Sequence, residues 1–183
     1  MILQALDDYY RRKVADPDPA KRLPAFGLEE KEIPFILDID AAGRWLPPIR
    51  DTRRKEGKKL LSQRFLAPAA VKRSSGVAAN LLWDTAEYVL GVDTRGKPER
   101  VAEQHAAFRA RIDALGEAVS ALPGVAAVRK FLAAPDLAAL ATDPLWPEIL
   151  QANPVLSFRL QGEIELVCQH PAVALAATMA GAE

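Results

Sequence analysis

Between Pro98 and Leu122 the apolar positions Val101, His105, Phe108, Ile112, Leu115, Val119 and Leu122 recur at alternating steps of four and three. That spacing lines one face of an α-helix with a continuous apolar stripe. Proline suits a first helical turn, where no N–H is needed, and glycine suits the position past the last turn. Pro98 and Gly124 stand at those two places. The pattern predicts one long amphipathic helix over 98–122, whose stripe needs a second layer to cover it. His105 falls inside the stripe, so it is expected as a packed histidine with one nitrogen satisfied, ahead of a ligand or a catalytic group.

The remaining segments predict a mixed order. Ile2, Leu3, Leu6, Tyr9, Tyr10 and Val14 have helical spacing and imply an opening amphipathic helix that ends before the turn-rich stretch 16–24. Ile33, Phe35, Ile36 and Leu37 form a strand over 32–38, Asp40-Ala41-Ala42-Gly43 reads as a turn, and 44–49 as a second strand completing a hairpin. A basic loop over 51–57 and a third strand over 58–66 follow, with Leu60, Leu61, Phe65 and Leu66 as its anchors to the core. Short helices broken by Pro135, Pro144 and Pro147 are expected over 125–153, then a hairpin of 155–160 with 164–168, then a helix from Pro171 to Met179. The fold class is therefore α+β, a small antiparallel meander and hairpins packed against amphipathic helices. At 183 residues, half of them apolar, one well-buried core is the expectation. The single domain 1–183 divides into a basic meander and loop at 41–80, a helical part at 80–153 and a late hairpin and helix at 154–180.

Charge is balanced over the chain, with 24 Lys plus Arg against 24 Asp plus Glu, yet it is unevenly placed. Residues 41–83 hold ten cations, Arg44, Arg50, Arg53, Arg54, Lys55, Lys58, Lys59, Arg64, Lys72 and Arg73, against Asp51 and Glu56. That window is +8, leaving 14 basic and 22 acidic residues, or −8, elsewhere. Such a field steers polyanions to one face; a solvated hairpin whose lysines serve solubility carries the same composition. Cys168 is the only cysteine, which excludes an internal disulfide and a thiolate-rich metal site. No signal-like opening and no apolar run of spanning length is present, so a cytoplasmic protein without membrane contact is expected.

Catalytic patterns are weak. Ser74 and Ser75 lack a G-x-S-x-G setting, the two histidines are 65 positions apart, and Cys168 has only His170 beside it. Asp38 and Asp40 lie on one face of a strand and could hold Mg²⁺ as nuclease carboxylates do, although an acidic pair before a glycine turn is ordinary turn chemistry. The glycines are isolated, so neither a P-loop nor a dinucleotide fingerprint is present. The expectation is a protein without enzymatic activity and without a cofactor.

The stretch 71–91 carries the clearest binding signal. It joins the hydroxyl-bearing basic loop Lys72-Arg73-Ser74-Ser75-Gly76 to an aromatic-rich segment with Trp83 and Tyr88, a mobile phosphate-contacting loop on a rigid support. Lys72 and Arg73 are the expected nucleic-acid contacts, Ser74, Ser75 and the Gly76 amide can donate to phosphate oxygens, and Gly76 permits close backbone approach. The Asn80 amide can read a base edge or cap a helix containing Trp83, Ala86, Glu87 and Leu90. Trp83 and Tyr88, flanked by Leu81, Leu82, Val89 and Leu90, are expected in the core. Arg53, Arg54, Lys55, Lys58, Lys59 and Arg64 are expected to track a phosphate backbone without reading sequence.

In order along the chain, the opening Met1-Ile2-Leu3-Gln4-Ala5-Leu6-Asp7-Asp8-Tyr9-Tyr10, the Lys72-to-Gly76 loop, Asn80-Leu81-Leu82-Trp83-Asp84 and Tyr88-Val89-Leu90-Gly91 closely resemble the N-terminal region of the large subunit of the type I-C CRISPR surveillance complex (Cascade), the Csd family. Family members often have Thr at the place of Ser74 and Phe at that of Leu81, both conservative departures. Family large subunits are much longer, so the resemblance implies an N-terminal piece without the C-terminal helical module. It further implies recognition of the protospacer-adjacent motif (PAM) on target duplex DNA beside the handle end of the guide RNA (crRNA), with base pairing reading the target. The implied partners are other Cascade subunits and a helicase-nuclease recruited for cleavage. The competing expectations are a docking module for an acidic partner, such as another subunit or a phage anti-CRISPR inhibitor, and a metal-dependent nuclease using Asp38 and Asp40.

Overall fold

Phe35, Ile36, Leu37 and Ile39 are all buried, which a strand achieves only when it is covered on both faces. They form β2 (Phe35–Ile39), an inner strand of a four-stranded sheet. The computed structural model that shows this describes residues 27–181 together with Gln4 and Asp8; the expected opening helix, Ile2 to Val14, lies outside the described residues. The sheet runs β3 (Arg50–Asp51), β2, β8 (Val155–Leu160), β7 (Trp83–Thr85). Its centre is parallel, with Leu37 opposite Phe158, and both outer pairs are antiparallel. A parallel pair needs a long crossover, and the segment between Ile39 and Val155 supplies it.

Two smaller ladders stand beside this sheet. β1 (Leu28–Glu32) pairs with β6 (Arg64–Pro68). β4 (Arg54–Glu56) and β5 (Lys59–Leu61) form a hairpin that pairs only with itself. Seven α-helices follow among the described residues: α1 (Ala86–Leu90), α2 (Pro98–Asp113), α3 (Glu117–Ser120), α4 (Pro123–Ala133), α5 (Leu137–Leu140), α6 (Trp146–Ala152) and α7 (Pro171–Gly181). A 3₁₀ turn, Val167–Gln169, precedes the last. Helix α4 packs on β2 and β8, where the Phe131 and Phe158 rings meet edge to face at 5.3 Å. None of the described helices is long and apolar enough to cross a membrane.

The turn after β2 and the end of α1 are fixed by glycines in the left-handed region, and at the first of them the space is closed as well. Gly43 has φ +80°, and a Cβ there would lie 2.6 Å from Lys130 Cβ and 2.7 Å from the Phe131 nitrogen. This is how the turn Asp40–Arg44 docks on α4. Gly91 closes α1 with φ +69°, against the His105 ring. The Asp143 carboxylate accepts from the Ile49 amide at 2.9 Å, tying the approach to β3 to the segment between α5 and α6.

The fold class is α+β as expected, but several elements differ. The 98–122 stripe is divided: α2 ends at Asp113, Gly116 precedes α3, and Gly124 lies inside α4 rather than past a helix end. A glycine between two apolar turns leaves the side-chain pattern intact while releasing the backbone. The strand expected over 44–49 is reduced to one bridge between Ile39 and Trp45, because Pro47 and Pro48 have no N–H for a ladder; β2 pairs with Arg50–Asp51 instead. The third strand is two strands, and Leu60 and Leu61 stand 55 % and 40 % exposed on the free hairpin rather than anchoring it. No late hairpin forms with 164–168: β8 lies between β2 and β7, and Val167–Gln169 is helical. Trp83 begins a strand, so the helix containing it shrinks to α1, capped at Thr85 and not by Asn80.

Candidate nucleic-acid interface

Asp84 is the buried centre of the region. It sits in β7 with no exposed side-chain surface, facing the base of loop 69–80. Its Oδ1 and Oδ2 accept from Arg73 Nη2 and Nη1 at 2.9 and 3.0 Å, and Oδ2 also accepts from the Asn80 amide at 2.9 Å. The Thr85 amide adds a bond to Oδ1 at 2.7 Å. A bidentate guanidinium and two amides leave little of the carboxylate unsatisfied, which is what a buried charge requires. Arg73 also donates to the Ala78 carbonyl at 2.9 Å and lies over the Tyr88 ring at 4.4 Å. Burial works against its charge, and Asp84 outweighs that and holds the guanidinium above its ordinary pKa.

The loop is closed by further bonds. The Val71 amide donates to Asn80 Oδ1 at 2.9 Å, Trp83 Nε1 donates to the Pro68 carbonyl at 2.8 Å, and Arg111 from α2 donates to the Ala79 carbonyl at 2.6 Å. Asn80, 2 % exposed, is a loop clasp whose amide oxygen is occupied inside the protein. Trp83 and Tyr88 are core residues, as expected. His105 is half-buried with Nδ1 on the Tyr88 carbonyl at 2.9 Å, the packed histidine the stripe predicted. What projects from this clasp is the exposed tip Lys72, Ser74, Ser75 and Gly76. Among the described residues Lys72 makes no ion pair, and a Cβ at Gly76 would meet nothing within 4 Å.

The +8 window does not survive as a single patch. Arg44 pairs with Asp40 at 3.1 Å, Arg50 with Asp38 at 3.0 Å, Arg64 with Glu32 at 3.6 Å and Arg73 with Asp84 at 2.9 Å, each acid lying outside the window. Arg53 is held by Asp51 at 2.9 Å and Glu148 at 2.7 Å and lies over the Phe35 ring at 4.6 Å. Those contacts, the Asp51 bond foremost, raise its pKa and lower that of Asp51. Arg54, Lys55, Lys58 and Lys59 remain, all exposed on the β4–β5 hairpin with Glu56 as its one acid and no ion pair among the described residues. The register sets Arg54 opposite Leu61 and Lys55 opposite Leu60, so both faces of the ribbon carry a cation beside a leucine.

The carboxylates considered for a metal are engaged elsewhere. Asp38 accepts from Arg159 Nε at 2.8 Å and Arg50 Nη2 at 3.0 Å, and Asp40 accepts from the Ala42 and Arg44 amides and Arg44 Nε. Among the described residues no group of three His, Cys, Asp or Glu converges. Cys168 is fully buried, and burial pushes its thiol up to about 12, so it is no nucleophile at neutral pH.

Sequence reasoning missed Asp84, Arg111 and Glu148, the groups that fix Arg73, the loop base and Arg53. Asp84 had a legible signal: an acid between Trp83 and Thr85, in a run apolar on both sides, calls for a buried cation. A family model described as CRISPR-associated protein (Cas_Csd1) matches residues 6–182. No curated protein matches the chain.

Proposed function

The chain belongs to the Cas_Csd1 family of CRISPR-associated proteins, and from that premise we propose that it acts in the nucleic-acid-binding large subunit of a type I-C Cascade complex. In this reading it meets the PAM on target duplex DNA next to the guide-RNA handle and works with the other subunits. Cleavage falls to a recruited helicase-nuclease, so the chain itself does no chemistry. The observation that supports this most is the anchored loop: the buried Asp84 carboxylate holds its base through the half-exposed Arg73 guanidinium, while Lys72, Ser74 and Ser75 stand at the exposed tip. Cation, hydroxyls and an open glycine amide are the donors that phosphate oxygens accept from, and a preset loop loses less entropy on binding than a floppy one.

The test replaces Lys72, Ser74 and Ser75 by Ala together, leaving Arg73 in its structural pair. Complex assembly is measured first, then capture of a PAM duplex, then pairing with a target supplied as a single strand. Assembly and single-strand pairing are expected to persist while duplex capture falls by at least about tenfold, as two or three phosphate contacts of roughly 0.5–1.5 kcal/mol each are lost. Retention of all three activities removes the loop from the interface. A second reading, docking of an acidic partner protein, is favoured by one observation, the exposed Leu60 and Leu61 among the hairpin cations. It predicts that hairpin substitutions lower complex yield before any DNA is added.

A further inference from the structure

The segment after β8 carries the most exposed large apolar side chain among the described residues, and that side chain stands between two acids. The chain leaves β8 through a turn at Gly162, where the Glu163 amide donates to the Leu160 carbonyl at 3.0 Å, and runs Glu163-Ile164-Glu165 before Leu166 re-enters the core. Ile164 is 92 % exposed, against 55 % for Leu60. A lone apolar side chain on a surface is ordinary, but this one borders a groove of about 440 Å³ between the 160–167 segment and the start of α4. Half-buried Leu122 and Leu160 and exposed Pro123 give the groove further apolar surface that solvent reaches.

The charge of the groove is one-sided. Glu163 and Glu165 line it, both exposed and in no ion pair among the described residues, and no lysine or arginine lines it. Its other titratable group, His170, has Nδ1 accepting from the Ala172 amide at 3.1 Å. Another wall is the first turn of α4, where Leu122 as N-cap has no side-chain acceptor for the amides of that turn. A helix N-terminus carries only about half a positive charge, so two full carboxylates leave the groove negative. These features act together to select a ligand. The acids repel nucleic acid and acidic proteins and attract Lys or Arg. The apolar walls call for an apolar side chain, which a metal ion or a simple amine lacks. The uncapped turn accommodates a carbonyl oxygen, which every residue of a peptide supplies.

We infer that this groove is a docking site for a segment of a partner protein in which an apolar side chain is flanked by Lys or Arg. Ile164 is its main contact, and Glu163 and Glu165 choose the charge. Exposed ion pairs are individually weak, so the apolar contact supplies most of the affinity and the carboxylates decide which segments are admitted. The site goes beyond the DNA-facing role proposed above and shares no residue with the loop 69–80 or the β4–β5 hairpin.

The experiment titrates a short peptide, leucines flanked by lysines, into this chain and follows the backbone amides by NMR. Two control peptides replace the leucines by serine or the lysines by glutamate, and the variants Ile164→Ser and Glu163→Gln/Glu165→Gln are titrated alongside. All three side chains are exposed, so the melting temperature is expected to be unchanged. Saturable shifts are expected at residues 122–125 and 160–167. Ile164→Ser is expected to weaken binding by about fivefold or more. The double glutamine variant is expected to weaken it about two- to threefold and to flatten its salt dependence. Shifts that lie elsewhere, or that never saturate, overturn the site. Equal binding of the serine control reduces the interaction to charge and overturns the groove, and equal binding of the glutamate control overturns the selection by Glu163 and Glu165. Shifts of the same residues on diluting the chain without peptide replace the partner protein by a second copy. Each of these outcomes leaves the loop 69–80 untouched, and its own test by duplex capture stands apart.

Discussion

The β4–β5 hairpin and the loop 69–80 carry the same kinds of residue and lie close in sequence, yet they are held in opposite ways. The hairpin pairs only with itself, exposes every residue of both strands and engages none of its four cations in an ion pair among the described residues. An isolated two-stranded ribbon is marginal in water, so it is free to adapt to what it meets. The loop has its base locked by a fully buried carboxylate, and only its tip is open. In the proposed function the hairpin supplies generic attraction, where the position of each charge matters little, and the loop supplies placement, where it matters a great deal.

The largest expected effect falls on the locked side. Asp84→Ala leaves Arg73 partly buried without its counter-ion and strips the Asn80 and Thr85 amides of their acceptor, which is expected to destabilise the protein by about 3–5 kcal/mol. Denaturant unfolding measures it. A loss below about 1 kcal/mol would mean that the pair is solvated and that the two regions are alike after all.

A different signature is expected from the hairpin. Replacing Arg54, Lys55, Lys58 and Lys59 by Ala is expected to change stability by no more than about 0.5 kcal/mol, as exposed surface substitutions do. In the assembled complex the same change weakens binding to PAM and non-PAM duplexes equally and lowers the salt slope by up to roughly 3 to 4, at about 0.9 per phosphate. Preferential loss for the PAM duplex would give the hairpin the reading role proposed for the loop.

The smallest effect concerns His105, which packs against α1 behind the loop. Burial lowers its pKa, the Tyr88 carbonyl opposes that, and the like charge of Arg109 adds to the lowering. A histidine pKa depressed by folding contributes stability that is full above the unfolded value of about 6.5 and declines as pH falls through it. NMR titration is expected to place the His105 midpoint below that of an exposed histidine, with a slight loss of melting temperature toward about pH 5. An elevated midpoint would show a nearby anion and a loop support less dry than the packing indicates.

Much of the scaffold was legible in sequence because it depends on neighbours a few positions apart. The stripe Val101 to Ile112 placed α2, Pro135 and Pro144 marked breaks among the short helices while Pro147 lies in the first turn of α6, and the apolar flanks of Trp83 and Tyr88 put both in the core. The errors arose where a local pattern had two readings. Leu60 and Leu61 look like core anchors unless one knows that the hairpin departs from the sheet, and Trp83 begins either a helix or a strand until β8 arrives beside it. In the candidate site, the basic, hydroxyl-bearing composition of the loop was legible, but the difference between Lys72 and Arg73 was not. They are adjacent exposed cations, and only the position of Asp84 leaves one unpaired and folds the guanidinium of the other back onto the loop base.

The sequence by itself determined the α+β class, the uneven placement of charge and the family to which the chain belongs, because composition, periodicity and motif order are properties of the chain as written. The tertiary structure decided which charges are free. Five of the ten cations in the basic window meet acids, and all five pair with at least one acid outside the window in sequence. The parallel β2–β8 pair likewise joins segments more than a hundred residues apart. Ion pairing and long-range strand pairing depend on distances that only the folded backbone sets, and Coulomb attraction falls with separation in space, not in sequence.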